Sequence, residues 1–287
     1  MIRKKEVEET AVQHQVLKST IEKDWVLGHF IDAIFSIKEC KDVLVFKGGT
    51  CLRKCYFNDY RFSEDLDFTV INPEFVLDTK LLNKIVKLIT ERTEIPLHIK
   101  EIKPLKRNDD LMGYAAIIKF WGPDHPANQT PPTPDRWITS VKIEITLHET
   151  ILFETEAKKV DHPYSDKLSA NAESIQCYSL NEVITEKLRA IIQRSYTAPR
   201  DFYDIWFLSN NVESIDWPEI VKVFHKKMKF KGLEFKGIHQ MINDENDRRL
   251  QTAWINSLGH QVKAEQMPSY DIVRSELSKL LQKIFNN

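Results

Sequence analysis

The chain has 287 residues, 42% of them hydrophobic and 29% charged, which excludes a disordered or collagen-like polymer and leaves room for two folded domains. Its 41 Lys and Arg against 42 Asp and Glu exclude a global basic field for nucleic acid, so such a partner must meet a local patch. The N-terminal MIRKKEVEETAVQHQVLKST lacks the apolar centre of a signal peptide and no apolar run is long enough to span a bilayer, so the expected setting is cytoplasmic, with no membrane partner.

In chain order, residues 21–39 place Trp25, Val26, Phe30, Ala33, Ile34 and Ile37 at steps near three and four, the spacing of an amphipathic helix. VLVF (43–46) is a short apolar run that suits a buried strand and ends at Gly48 and Gly49. TCLRKCYF (50–57) resumes a helical pattern, and DLDFTVI (65–71) alternates as strands do. A helix is expected over 79–92, then strands in LHIKEIKPL, MGYAAIIKFWG and ITSVKIEITLHE. Between the last two lies PDHPANQTPPTPD (123–135), whose five prolines forbid regular structure. From about residue 180 the pattern turns helical: SLNEVITEKLRAIIQRS, RDFYDIWFLSNN, and segments near 217–229, 246–258 and 269–285. Strands first and helices after predict an α+β domain over 1–165 and a helical domain over 166–287.

Four cysteines, Cys40, Cys51, Cys55 and Cys177, contain no CxxC pair and are read as free thiols used in packing. Cys51 and Cys55 share a helix face, but a zinc site would need two further ligands at suitable spacing.

The stretch from Lys47 to Asp67 carries the chemistry. A strand that turns through Gly48 and Gly49 into a helix points free amides and the positive end of the helix dipole at the turn, an arrangement that suits phosphate. Thr50 offers a hydroxyl to cap the helix or to bond a phosphate oxygen. In a strand, Asp65 and Asp67 project to one side while Leu66 and Phe68 enter the core, and two neighbouring carboxylates call for a bound cation; Mg²⁺ fits oxygen donors. Glu144 in SVKIEITL is the expected third carboxylate, because Val141, Ile143 and Ile145 share one face and Lys142, Glu144 and Thr146 the other. Lys47 precedes the glycines, and Lys187, Arg194 and Arg200 add cations for phosphate charge; Lys187, Arg194 and Asp201 would share a stripe if the helix ran on through Pro199. KVFHKKMKFKGLEFKG (222–237) interleaves six lysines with Phe224, Phe230 and Phe235, which suits either an RNA-phosphate surface or a helix with its aromatics packed inward.

IEKDWVLGHF, FKGGTCLRKCY, RFSEDLDF and EKLRAIIQRS with PRDFYDIWFL resemble, in order, the blocks of the AbiEii/AbiGii nucleotidyltransferase-like toxins of bacterial type IV toxin–antitoxin systems, to which the MenT enzymes are related. The resemblance spans roughly residues 20–210. It implies a DNA-polymerase-β-like nucleotidyltransferase fold with a mixed sheet, in which the glycine turn holds an NTP and Asp65 and Asp67 bind Mg²⁺ or Mn²⁺. By the same analogy Lys187 lies by the triphosphate, Arg200, Asp201 and Asp204 form the family's basic-acidic helical motif, the acceptor is the 3′ end of tRNA or another RNA, and a winged-helix antitoxin is encoded nearby. Two departures are visible: Gly49-Thr50 stands where the superfamily has Gly-Ser, and Glu144 where many relatives have Asp. Transfer to a protein or small molecule, and a catalytically silent nucleotide-binding module, stay open as alternatives.

Overall fold

A computed structural model of the chain describes residues 1–126, 128–194 and 198–285. Two compact units are formed, one from residues 1–149 and 155–177, the other from 150–154 and 178–287.

The first unit opens with α1 (Lys4–His14), α2 (Lys18–Ser36) and the short α3 (Lys38–Lys41). It then builds β1 (Leu44–Lys47), α4 (Gly48–Cys51), β2 (Asp65–Val70), α5 (Thr79–Thr93), β3 (Leu97–Arg107), β4 (Asp110–Phe120), β5 (Ser140–Thr146), β6 (Glu156–Lys158) and β7 (Ile175–Cys177). One seven-stranded mixed sheet runs in the order β3-β4-β5-β2-β1-β7-β6. The pairs β2–β5 and β1–β7 are parallel and the others antiparallel. Two of its strands were not expected: β6 and β7 have three residues each, too few for alternation to be read. Because β7 belongs to this sheet, the first unit extends past residue 165, where the sequence suggested a boundary.

Helix α2 explains how the core closes. Ile21, Trp25, Val26, Phe30, Ile31 and Ile34 are buried, but so are Glu22, Asp24, His29 and Asp32, so the helix is enclosed on all sides. Each of these side chains has a partner, as burial requires, though His29 Nδ1 makes no hydrogen bond among the described residues. Glu22 accepts from the Asp124 amide, and Asp166 accepts from Trp25 Nε1 and sits 3.1 Å from His29 Nε2. Asp32 takes Arg92 Nη1 at 2.9 Å and the Ser169 amide at 2.8 Å. Asp24 receives Arg53 Nε at 2.9 Å, Lys54 Nζ at 2.5 Å and the Tyr164 hydroxyl at 2.7 Å. The proline-rich segment is irregular apart from a short turn at Pro134–Arg136, held by Lys119 Nζ on the Pro134 and Asp135 carbonyls and by Trp137 Nε1 on the Pro132 carbonyl. Ala127 lies outside the described residues.

The second unit is helical: α6 (Leu180–Gln193), α7 (Pro199–Asn211), α8 (Trp217–Phe230), α9 (Asp244–Leu258) and α10 (Tyr270–Phe285). Ser179, Asp216 and Asn243 cap α6, α8 and α9 through the amides of Glu182, Glu219 and Asn246. The lysine-rich segment is resolved in favour of inward packing for its central residues. Phe224 lies edge-on to Phe235 and Phe285, and Lys227 is fully buried against Glu182 and the Thr150 carbonyl. Phe230 alone of the three phenylalanines of that segment is exposed. Among the described residues no helix is long and apolar enough to cross a membrane.

Candidate active site

The site in the first unit is set by strand register. Antiparallel pairing places Lys47 opposite Asp67, and parallel pairing places Asp65 beside Lys142 and Asp67 beside Glu144. Residues directly paired across strands share a face, so Lys47, Asp65, Asp67, Lys142 and Glu144 lie together on one side of the sheet centre. The opposite side buries Phe46, Leu66, Phe68, Ile143 and Ile145. This burial fixes the register, since a slip by one residue would turn the carboxylates into the core.

The glycine turn closes over that face. Gly48 has φ +82°, and a Cβ there would lie 2.5 Å from Asp67 Oδ2. A Cβ on Gly49 would lie 2.8 Å from Arg61 Nη2 and 2.9 Å from Ser63 Oγ. The two glycines thus let the chain pass between a carboxylate on one side and a guanidinium with a hydroxyl on the other. Thr50 does not cap the helix: its hydroxyl donates to the Asp65 carbonyl at 2.5 Å, so its proton fastens the turn to β2. After α4 the chain widens into a π-helical turn over Leu52–Tyr56, closed by the Phe57 amide on the Leu52 carbonyl at 2.9 Å. Arg53 and Lys54 within it reach Asp24, anchoring the turn to α2.

We expect Gly48→Ala to cost ~1–2 kcal/mol in left-handed backbone strain, and more because the new methyl meets Asp67. Gly232→Ala also meets a positive φ, +66°, but nothing stands within 4 Å of its Cβ. Urea unfolding should therefore show a larger loss for Gly48→Ala than for Gly232→Ala; equal losses would refute the close approach.

Three residues at the carboxylate face and the glycine turn were missed as functional groups by sequence reasoning. Lys142 Nζ lies 2.7 Å from Glu144 Oε2. Burial works against its charge, but the bond to Glu144 and the fields of Glu144, Asp65 and Asp67 outweigh it and raise the Lys142 pKa. Its ammonium is thus a resident counter-charge to the three carboxylates. Arg61 and Ser63 sit in an irregular segment where no periodicity marks them. The donor set of Asp65, Asp67 and Glu144 consists of hard carboxylate oxygens and suits Mg²⁺ or Mn²⁺ rather than a soft ion. Elsewhere among the described residues, the ligand atoms of Cys51, Cys55 and Cys177 lie within 4.8 Å of one another, as do those of His29, His162 and Asp166.

The other expected residues lie in the helical unit. Lys187 Nζ is 3.1 Å from Asp201 Oδ1 and 2.5 Å from Asp204 Oδ2, and Arg194 Nη1 is 2.8 Å from Asp201 Oδ2. Asp201 and Asp204 are buried, so this network joins α6 to α7. The helix does not run on through Pro199; α6 ends at Gln193, with Arg194 already extended, and Pro199 starts α7. Arg200 is exposed in the first turn of α7. Ser195, the last residue of EKLRAIIQRS, lies outside the described residues, as do Tyr196 and Thr197.

A family model described as nucleotidyl transferase AbiEii toxin, type IV toxin–antitoxin system, matches residues 29–276. Among solved structures, the chain is similar to MenT4, a nucleotidyltransferase toxin of Mycobacterium tuberculosis, with TM-score 0.65 and 17% identity over 98% of this chain and 90% of that one. It is also similar to JHP933 of Helicobacter pylori, with TM-score 0.54 and 17% identity over 94% of this chain and 93% of that one. At these identities the likeness is one of fold. No curated protein matches the sequence.

Proposed function

The chain belongs to the AbiEii nucleotidyltransferase toxin family of type IV toxin–antitoxin systems, and from that premise we propose that it moves a nucleotide from an NTP to the 3′-terminal hydroxyl of a tRNA, blocking translation. The observation that carries the reading is the placing of Asp67 both beside Glu144 in the sheet and against Gly48 in the turn. Carboxylates and a phosphate-type turn then share one small region. Asp65, Asp67 and Glu144 would hold Mg²⁺ or Mn²⁺. Such an ion, when bound, supplies positive charge to offset the triphosphate and the departing pyrophosphate.

The chain's own residues divide the remaining work. Gly48 and Gly49 admit phosphate oxygens close to the backbone, and Arg61 and Ser63 offer donors on the Gly49 side. Lys47 adds positive charge at the strand end. Glu144 takes the proton of the acceptor hydroxyl as its oxygen bonds to the α-phosphorus and the bond to pyrophosphate breaks. Lys142 must release Glu144 for this, so we assign it the part of a placeholder cation. The nucleotide-binding roles of Lys187, Arg194, Arg200, Asp201 and Asp204 rest on the family resemblance. A cognate antitoxin, of the winged-helix kind that the resemblance suggests, completes the system.

Labelled NTPs incubated with the protein, Mg²⁺ and total tRNA test the proposal, with a protein extract in parallel. Label is expected at the tRNA 3′ end; label on protein would overturn the acceptor, and no transfer to either would overturn the activity. Lys142→Met is expected to raise divalent-ion affinity, because the competing ammonium is gone, and to lower the unfolding temperature without metal, because carboxylate repulsion is no longer offset. Mn²⁺ titration followed by electron paramagnetic resonance checks the first, and thermal unfolding in chelator the second.

A further inference from the structure

The cysteines read as packing residues in the sequence are brought together by the fold. Cys51 closes α4, Cys55 lies in the π-helical turn, and Cys177 ends β7, where it pairs with Phe46 of β1. All three are free, and their sulfurs lie within 4.8 Å of one another. Cys51 and Cys177 are buried and Cys55 is half-buried. Lys54 adjoins Cys55 in the π-helical turn, and Lys158 of β6 lies 4.5 Å from the centre of the neighbouring Tyr56 ring. The fourth cysteine, Cys40, is buried outside the cluster.

We propose that Cys51, Cys55 and Cys177 form a three-thiolate site for Zn²⁺, separate from the carboxylate face and with its fourth position open to water beside Cys55. Sulfur ligands select a soft or borderline ion and discriminate against Mg²⁺, which requires oxygen. A Zn–S bond of about 2.3 Å sets the sulfurs of such a site about 3.8–4.0 Å apart, so the cluster needs to contract by less than about 1 Å. The protons still on the thiols leave to solvent as the ion enters. The site ties the turn that follows Gly48–Thr50 to β7 at the far side of β1, so zinc would stiffen the glycine turn.

The test uses the full chain, reduced, metal-stripped and anaerobic, titrated with Co²⁺ as a coloured substitute for Zn²⁺. One equivalent should give a thiolate-to-cobalt charge-transfer band that Zn²⁺ abolishes. Cys55→Ser should weaken binding at least about 100-fold, above the loss caused by removing an outer-shell partner. Cys40→Ser should leave it unchanged. Zn²⁺ should also raise the unfolding temperature of the wild type and not of Cys55→Ser, whose metal-free unfolding temperature shows whether it is folded. Absence of the band, its persistence in Cys55→Ser, or its loss in Asp67→Asn would each overturn the proposal, as would a disulfide among the three found by mass under these reducing conditions.

Discussion

Asp67→Asn and Asp65→Asn are each expected to lower nucleotidyl transfer by at least about 10³-fold, the factor that ~4 kcal/mol of lost transition-state stabilisation produces. Asn keeps the volume and one oxygen but loses the ionised charge that a hard cation requires. The loss should therefore appear in divalent-ion affinity as well as in rate. Both side chains are partly exposed on the polar face of the sheet, while Leu66 and Phe68, which fix β2 in the core, are untouched. Unfolding temperatures should consequently stay within a few degrees of the wild type. A variant that keeps full transfer would remove the aspartates from the site, and one that loses transfer only because it unfolds would show that in the melting curve. Glu144→Gln is expected to lower transfer about 10²–10⁴-fold, the range of a general base.

Asp24→Ala is expected to be the most damaging single change to stability in the first unit, at about 3–5 kcal/mol. Asp24 is buried, and so are both of its cationic partners, Arg53 and Lys54. Removing the carboxylate strands two buried positive charges and the Tyr164 hydroxyl, rather than merely deleting a contact. Arg53 also donates to the Tyr60 carbonyl and stacks on the Phe62 ring, so the segment leading to Arg61 and Ser63 depends on this anchor. Chemical denaturation measures the loss.

The same pair gives a pH signature. Burial alone would push the Asp24 carboxyl up, but the Lys54 and Arg53 charges and the bonds from Lys54 and Tyr164 hold it well below the usual carboxylate range. A depressed folded-state pKa contributes stability that is present above the unfolded value near pH 4 and is lost as pH falls toward the folded one. Wild-type stability should thus decline below about pH 4, with Asp24→Asn declining less steeply by up to one proton, ~1.4 kcal/mol per pH unit. Equal slopes would show that Asp24 does not carry the linkage.

The core strands and helices could be read because their patterns are local. Alternation identified β2 and β5 and put Asp65, Asp67 and Glu144 on the solvent-facing side, as their burial patterns show. The helical spacing of α5, α6, α8 and α10 was equally legible, and the glycines marked the turn. The start of the helical unit was less clear: β7 and residues 150–154 are too short to announce themselves, and 150–154 joins the helices through amides on the buried Glu182.

By itself, the sequence determined the residue types of the site, the order of strand, glycine turn, helix and strand, and the side of each strand on which the carboxylates stand, because backbone periodicity assigns those faces without any distant partner. Only the tertiary structure decided which strands are neighbours. Pairing β2 with β5 sets Asp67 beside Glu144 and brings Lys142 among the acids, and pairing β1 with β7 carries Cys177 to Cys51 and Cys55. The physical reason is that neighbours in a sheet are selected by burial of whole faces and by chain connections, and no short window of sequence holds either.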